Sequence, residues 1–580
     1  MYEFTENGII KDGKGGGVQL SNFTATITQE VNYEDGRASQ RILIIEGKLG
    51  KEKLPPVEVS AEKFPGMNWI TPAWGIGPVI SPLPNAERDV RVAIQYESKP
   101  KKTTVYTHTG WTKIGGKDTY LTANGGITDK GHNSALKVSL PNELRKFVIT
   151  PDESQVRTAI NATLDLRKIA QPHIAWPMIA ATIRPPIGPT DYALHISGRT
   201  GTFKSEVASV MQSHYGQHMD ARHLPGSWSS TANAIEAQTY RAKNAIFVVD
   251  DFVPFGTAWQ VRAYQKTADQ VIRGQGNQAG RARLTDVSSL QETMYPRGMI
   301  LSTGEDIPTG HSIRARMMIL DLAPGDITSA HLTTAQHNRA LYEIATAAWI
   351  QYIAREGVTT IRDAHTARKT QLRKKHADVG HSRTPAMLGD MVAAVEIFLA
   401  FALDAKAITK AQNAKMLKES TDALLTAAAD QERHLKTTDP TEVFMDVVRL
   451  VFQTHVAHLR AIDGGIPPQP TEFGWTESEN SHSHIKTYTA HGQKIGWCDP
   501  TQASIYLEPN VAFPLIMKNA RGGITTTKQT MLKRLKDAGM LNRTDDVRQR
   551  NTVRVTVEGR SRQVLSLDIA AITQNQENPE

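Results

Sequence analysis

Ala193-Leu-His-Ile-Ser-Gly198-Arg-Thr-Gly201-Thr-Phe-Lys204-Ser205 reads as an apolar strand that runs into a glycine-containing loop and then into a helix. Val207, Val210 and Met211 supply that helix with an apolar face. Strand, loop and helix in this order are the setting a phosphate-binding loop needs. Glycines let the backbone curl so that its N–H groups point at phosphate oxygens, and the helix N-terminus adds partial positive charge. The predicted ATP-binding set is Gly198, Arg199, Thr200, Gly201, Thr202, Phe203, Lys204 and Ser205. Lys204 is expected to reach the β- and γ-phosphates, and Ser205 to hold Mg²⁺. The usual pattern carries Gly directly before the Lys. Here Phe203 stands in its place, so the loop must carry a side chain where many such loops have none.

Working outward, Asn244-Ala-Ile-Phe-Val-Val-Asp250-Asp251 is a buried-type strand ending in two carboxylates, about 46 residues beyond Lys204. Asp250 suits Mg²⁺, the Walker B role, and Asp251 is placed to polarise an attacking water. Acids at strand ends also cap turns, but the two elements together are hard to obtain by chance. A third strand, Arg297-Gly-Met-Ile-Leu-Ser302-Thr303-Gly-Glu305, ends in polar residues. Ser302 or Thr303 is a candidate sensor of the γ-phosphate, and Glu305 a candidate to fix the loop. Gly310-His-Ser-Ile-Arg314-Ala-Arg316 then precedes another apolar strand, and either arginine is a candidate finger for a neighbour's ATP. The competing reading is a salt bridge within the subunit.

Apolar strands alternating with amphipathic helices over 191–325 predict an α/β layer with a largely parallel sheet. Residues 1–150 read as β-rich, with strand-like runs at Arg41–Glu46, Val90–Tyr96 and Thr103–His108. Trp69, Trp74 and Trp111 are read as core. Residues 328–465 read as helical, as do Val156–Leu166 before the core. The basic run Arg368–Lys375 is read as a solvated helix face. Gly464–Pro470 is a candidate linker, and a last domain fills 466–580. The expected layout is therefore a multidomain α/β chain: β-rich N-terminal domain (1–150), P-loop core (151–327), helical domain (328–465) and C-terminal domain (466–580).

Two segments are suited to nucleic acid. Arg273-Gly-Gln-Gly-Asn-Gln-Ala-Gly-Arg281-Ala-Arg283 has three arginines, three glycines and no acid, and is read as a loop that presents Arg273, Arg281 and Arg283 to phosphates. Further on, a helix carrying Lys528, Lys533 and Arg534 is followed by a hairpin carrying Arg554 and Arg560. Helix then basic hairpin describes a winged helix. From 521 to 562 eleven Lys or Arg stand against four Asp or Glu, so DNA is the natural partner, although the same shape also binds protein.

Composition sets wide bounds. The chain has 580 residues, 67 Lys plus Arg against 59 Asp plus Glu, and a formal charge of +8, which permits nucleic acid without demanding it. The single cysteine, Cys498, excludes an intramolecular disulfide and a Cys-rich metal site, and fits a reducing cytosol. No apolar run reaches the roughly 18 residues of a membrane span. The start, Met1-Tyr-Glu-Phe-Thr-Glu6, lacks a secretory pattern.

These runs, with Tyr106-Thr-His-Thr-Gly-Trp111, Trp228-Ser-Ser-Thr-Ala-Asn233 and Gly274-Gln-Gly-Asn277, resemble the P-loop ATPases of phages, prophages, plasmids and cassette-type mobile elements. That helicase-like family includes the MCM-like replicative helicases of staphylococcal cassette chromosomes. The resemblance covers most of the chain. It implies an AAA+-related core, a hexamer and a role in replicating the element in a bacterial or phage-infected cytoplasm. It further implies ATP and Mg²⁺ at Lys204, Ser205, Asp250 and Asp251, and DNA as partner, with a primase as a possible second one. The alternatives are an ATP-dependent initiator or loader without unwinding, and a DNA-binding adaptor.

Overall fold

Five parallel strands carry the quoted loop, in the order Gly226–Ser227, Ile246–Phe252, Met299–Gly304, Ala193–Gly198 and Met317–Leu322. The strand of the loop and the strand of Asp250 are thus separated by Met299–Gly304 alone. The structure, a computed structural model, describes residues 1–13, 16–280, 283–284, 290–291, 293–436, 439–479, 485–520, 526–545, 548 and 550–573. The three central strands are buried on both faces: Leu194, Ile196, Val248, Val249 and Leu301 are fully covered. A sheet covered on both faces reads as continuous apolar runs, which is why these strands were visible in the sequence. Each such side chain contributes about 1.5–3 kcal/mol of transfer free energy.

The chain divides into two compact units. The first comprises Met1–Pro308 and Arg316–Ala428, and the second Thr309–Ala315 and Ala429–Glu580. In the first unit the N-terminal segment forms a five-stranded sheet around Thr24–Glu34 and Ser39–Leu49, and a four-stranded sheet over Gly110–Asn133. The expected strand at Val90–Tyr96 is instead part of a helix, Ala86–Glu97. Val90, Ala93 and Ile94 fall at helical spacing and pack on Ile27, Leu43 and Ile45, while Glu87 and Asp89 favour the helix start. Over seven residues, alternation and helical spacing were not separable. Trp69 and Trp74 meet edge to face at 5.1 Å in that core. Trp111 is buried and donates its indole N–H to Pro186 O at 2.6 Å.

Helices Ser329–His337, Arg339–Glu356, Val358–Lys375 and Thr384–Asp404 follow the parallel sheet in the same unit. Thr384–Asp404 is long and apolar enough to cross a membrane by length and composition, which the sequence reading did not anticipate, yet 72% of its apolar 18-residue stretch is buried inside the protein. It carries Asp390, fully buried and paired with Arg184 at 2.7 Å. It is a core helix. Arg368–Lys375 lies in the last turns of its helix and is largely solvated, with Arg368 gripping Glu396 through two bonds of 2.7 Å.

The second unit is built on the strands Ala457–Ala461, Gln493–Asp499, Ser504–Leu507, Arg560–Asp568 and Leu541–Arg543, in that order. Helix Pro440–Gln453 covers it through Phe444, Val448, Val451 and Phe452. Because Ala457–Ala461 belongs to this sheet, Gly464–Pro470 joins two parts of one unit and is not a linker between units. The helix Lys528–Asp537 and the hairpin Val553–Val557 with Arg560–Asp568 stand where the sequence puts them. Cys498 is a buried free thiol, pushed up to about 11 by burial.

Candidate nucleotide site

Strand Ala193–Gly198 delivers the loop to the C-terminal edge of the sheet, and helix Lys204–Gln212 leaves from it. Gly198 has φ +152, and a Cβ there would lie 2.5 Å from Leu322 O. Gly201 has φ +88 with open space around it, so it is needed for its conformation and not for room. Phe203, the helix N-cap, has φ +64 in the left-handed region. That shows what the departure noted in the sequence costs: the position before Lys204 demands positive φ, where Gly is at ease and an L side chain costs about 1–2 kcal/mol. Phe203 is 43% exposed, so its ring leaves the loop for solvent. The first-turn N–H groups of a helix have no intrahelical acceptor, and here that first turn begins at Lys204 and Ser205. The Lys204 ammonium donates to Arg199 O at 2.9 Å, folded across the loop. Thr202 is buried and donates to the same carbonyl at 2.9 Å, while Thr200 donates to Glu305.

Three elements meet on Asp250. Its Oδ1 accepts the Ser205 hydroxyl at 2.8 Å and also the Thr303 hydroxyl. Thr303 Oγ1 in turn accepts the Asp251 N–H at 3.1 Å. The neighbouring strands slip register between Val249 and Phe252, and Asp251 has φ +68. Such a bulge re-aims a side chain, and it leaves Asp251 exposed while Asp250 faces Ser205. Asp251 is held above the ordinary carboxylate range by partial burial, then by the charges of Asp250 and Glu305, with Lys204 opposing them.

The choice between Ser302 and Thr303 follows from strand alternation. Ser302 is buried with His195 Nδ1 at 2.8 Å and accepts the Trp228 indole N–H at 2.9 Å. Thr303 is the one that faces the carboxylates. The sequence reading missed His195. Its other nitrogen reaches Asp306 O at 3.0 Å, and the signal was a histidine inside an otherwise apolar strand. The Tyr106–Trp111 run also has a place: Thr109 Oγ1 donates to Lys243 O at 2.9 Å and Trp111 N–H to Asn244 Oδ1 at 3.3 Å. It docks the four-stranded sheet on the root of the Asp250 strand.

Arg314 falls in the second unit and Arg316 in the first, and the two have different partners. Arg314 donates to His434 O at 3.1 Å and is half-buried. Arg316 is 9% exposed and donates twice to Asn277 Oδ1, at 2.9 and 3.3 Å. Arg273 is not in a loop. Helix Ala258–Asn277 runs through it, and it pairs with Asp269 at 2.6 Å. Gly276 inside that helix makes room for Arg316, whose Cδ would lie 2.5 Å from a Cβ. Gln275 is buried and donates to Thr190 O at 2.7 Å. These contacts hold as helix what composition alone marked as loop. Arg283 opens a two-residue strand paired antiparallel with Leu290–Gln291, and Arg281 lies outside the described residues. In the second unit Lys533, Arg534, Arg554 and Arg560 are exposed, and Lys528 donates to Asn510 at 2.8 Å.

Chemically, the edge gathers oxygens suited to a hard divalent cation (the Ser205 hydroxyl and the Asp250 carboxylate), a lysine beside a helix N-terminus, and a second carboxylate of raised pKa. No family model matches the chain, and no curated protein does. Among solved structures it is similar to one described as an active helicase, the SCCmec type IV Cch protein, with a TM-score of 0.54 and 13% identity over 98% of each chain. The chain's fold is similar to that of the Cch protein. At that identity the likeness concerns the fold alone, and it spans nearly all of both chains.

Proposed function

We propose that the chain is an ATP-hydrolysing, ring-forming DNA helicase or translocase that serves replication of a phage, plasmid or other mobile element in the bacterial cytosol. The observation that carries this reading is the meeting of Ser205 and Thr303 on one oxygen of Asp250, at the end of a parallel sheet that also presents Lys204. The strand order, with one strand between the P-loop strand and the Asp250 strand, supports an AAA+-like core. The helicase-like fold supports coupling of turnover to DNA.

In this reading Lys204 and the helix N-terminus meet the β- and γ-phosphates. Ser205 and Asp250 would hold Mg²⁺, which when bound would supply positive charge at the phosphates. Asp251 accepts the proton of the attacking water, and its position is fixed by the Thr303 bond to its backbone. Thr303 is the sensor. Arg314 is the better candidate for the finger of a neighbouring subunit, because Arg316 is nearly buried and engaged with Asn277. A finger acts across an interface, so the active form is a multimer, with a hexamer the expected state. The C-terminal helix and hairpin form a winged helix that holds DNA through Lys528, Lys533, Arg534, Arg554 and Arg560, and Arg273, Arg281 and Arg283 are further DNA contacts.

The test is unwinding of a forked duplex with ATP and Mg²⁺. Strand separation that stops when ATP is replaced by a non-hydrolysable analogue is the expected result. Turnover with DNA binding but no separation would replace the motor by an initiator or loader switch.

A further inference from the structure

At the opposite edge of the parallel sheet from Lys204, five cations from five distant stretches of chain line one open cavity of about 470 Å³. Arg37 comes from the turn after strand Thr24–Glu34, and Lys113 from the hairpin Gly110–Thr122. Lys243 and Arg297 stand just before strands Ile246–Phe252 and Met299–Gly304, and Arg362 on helix Val358–Lys375. Asp118 is the one acid in the lining. Among the described residues, Arg37, Lys113, Lys243 and Arg362 form no ion pair. Their contacts are dipolar: Lys243 donates to Trp111 O at 2.5 Å and Arg362 to Ile187 O at 3.3 Å, while Arg37 lies 4.7 Å over the Tyr295 ring.

Like charges brought together from separate elements repel, and nothing in the local sequence requires the meeting. Burial first, and then Arg297, Arg362 and Arg37, lower the pKa of Lys243 to about 8, with Asp35 opposing them. Anions offset such repulsion. A second open cavity, of about 630 Å³, shares Pro189, Gln278 and Arg362 with the first and adds Arg373 together with Lys369, which is paired with Asp191 and Asp390 in the same lining at 3.5 and 3.0 Å. The two adjoin at these shared residues and together make up a trough. The strand between the edges has seven residues, which puts the trough about 20 Å from the nucleotide site.

We propose that this trough binds the phosphodiester backbone of a single nucleic-acid strand, through Arg37, Lys113, Lys243 and Arg362. It rests on the helicase reading and names a strand contact that none of the basic sequence runs marked. The chemistry it recognises is a row of closely spaced phosphates, so free polyphosphate is the competing source.

The test uses the full-length protein and a fluorescent oligo-dT strand, with affinity measured by anisotropy at several salt concentrations. Each phosphate contact removed should lower the slope of log K against log salt by about 0.7. Lys113→Gln, whose side chain is exposed, should lower it by about one contact, and Lys113→Gln with Arg362→Gln by about two. Lys415→Gln, an exposed lysine outside the trough, should leave it unchanged. Wild type that binds the strand with the same slope as both trough variants would overturn the inference and leave the helicase reading standing. Wild type that does not bind the strand would overturn both. Tripolyphosphate at matched ionic strength should compete weakly. Displacement of the strand at micromolar tripolyphosphate would make the trough a site for free polyphosphate and also overturn the proposal.

Discussion

The Ser205 hydroxyl donates to Asp250 Oδ1 at 2.8 Å, across two elements 45 residues apart in the chain. Ser205 is fixed by the helix that begins at Lys204, and Asp250 by the end of a fully buried strand. Their approach makes one oxygen cluster from a loop and a strand that share no local sequence. Asp250→Asn keeps the shape and a hydrogen-bond acceptor but removes the charge. It should lower ATP turnover by about 10²-fold or more and raise the Mg²⁺ concentration needed for half-maximal rate. Steady-state kinetics over a Mg²⁺ titration measures both, and an unchanged Mg²⁺ requirement would count against the assignment.

Asp251 is the carboxylate with a raised pKa, through burial and the charges of Asp250 and Glu305. A base works only when ionised, so activity is present above its folded pKa and is lost as pH falls through it. The acid limb of kcat/KM should therefore lie above the ordinary aspartate range. Asp251→Asn should remove that limb and lower the rate by about 10²–10⁴-fold. A pH–rate profile of both proteins decides it.

Phe203 holds φ +64 with its ring 43% exposed. Phe203→Gly relieves the steric cost and should raise stability by about 1 kcal/mol, whereas Phe203→Val, β-branched at positive φ, should lower it. Urea unfolding of the two variants is the measurement, and the opposite order would contradict the steric cost assigned to Phe203.

Asp390 is fully buried and takes Arg184, Lys369 and the Tyr192 hydroxyl at 2.7, 3.0 and 3.0 Å. Burial would raise its pKa, yet Arg184 and Lys369 hold it below the ordinary carboxylate range. A depressed carboxylate contributes stability that is present above the ordinary range and lost as pH falls beneath it. Asp390→Asn leaves Arg184 buried without its charge partner and should cost about 3–5 kcal/mol at neutral pH. A cost under about 1 kcal/mol by chemical denaturation would show that solvent reaches the pair.

The two arginines before Met317 should separate by phenotype. Arg314→Ala is expected to bind nucleotide but lose turnover by about 10³-fold, with rescue in mixtures with Lys204→Ala subunits, since the finger and the loop act from different protomers. Arg316→Ala is expected to lower the melting midpoint, because its bonds to Asn277 tie the end of helix Ala258–Asn277. Reversed phenotypes would move the finger to Arg316.

Much of this site is written in local pattern. Leu194, Ile196, Val248 and Val249 are buried on both faces of the sheet, so their strands appear as apolar runs, and the polar residues at their ends stand out. Thr303 over Ser302 needed the strand's orientation, which depends on what packs beneath it, here His195 and Trp228. Arg273 was misplaced because three glycines outweighed the tertiary contacts of Gln275 and Gly276 that keep the segment helical. Val90–Tyr96 was too short for its period to be decided. The cationic trough had no trace in the sequence, since Arg37, Lys113, Lys243 and Arg362 come together only through the fold.

The most direct test of the central claim is ATP hydrolysis by wild type and Lys204→Ala, each with and without single-stranded DNA. The account predicts turnover that DNA stimulates and that Lys204→Ala abolishes, because the ammonium is the charge that meets the phosphates. Turnover that Lys204→Ala leaves intact, or no turnover and no nucleotide bound by wild type, would contradict it.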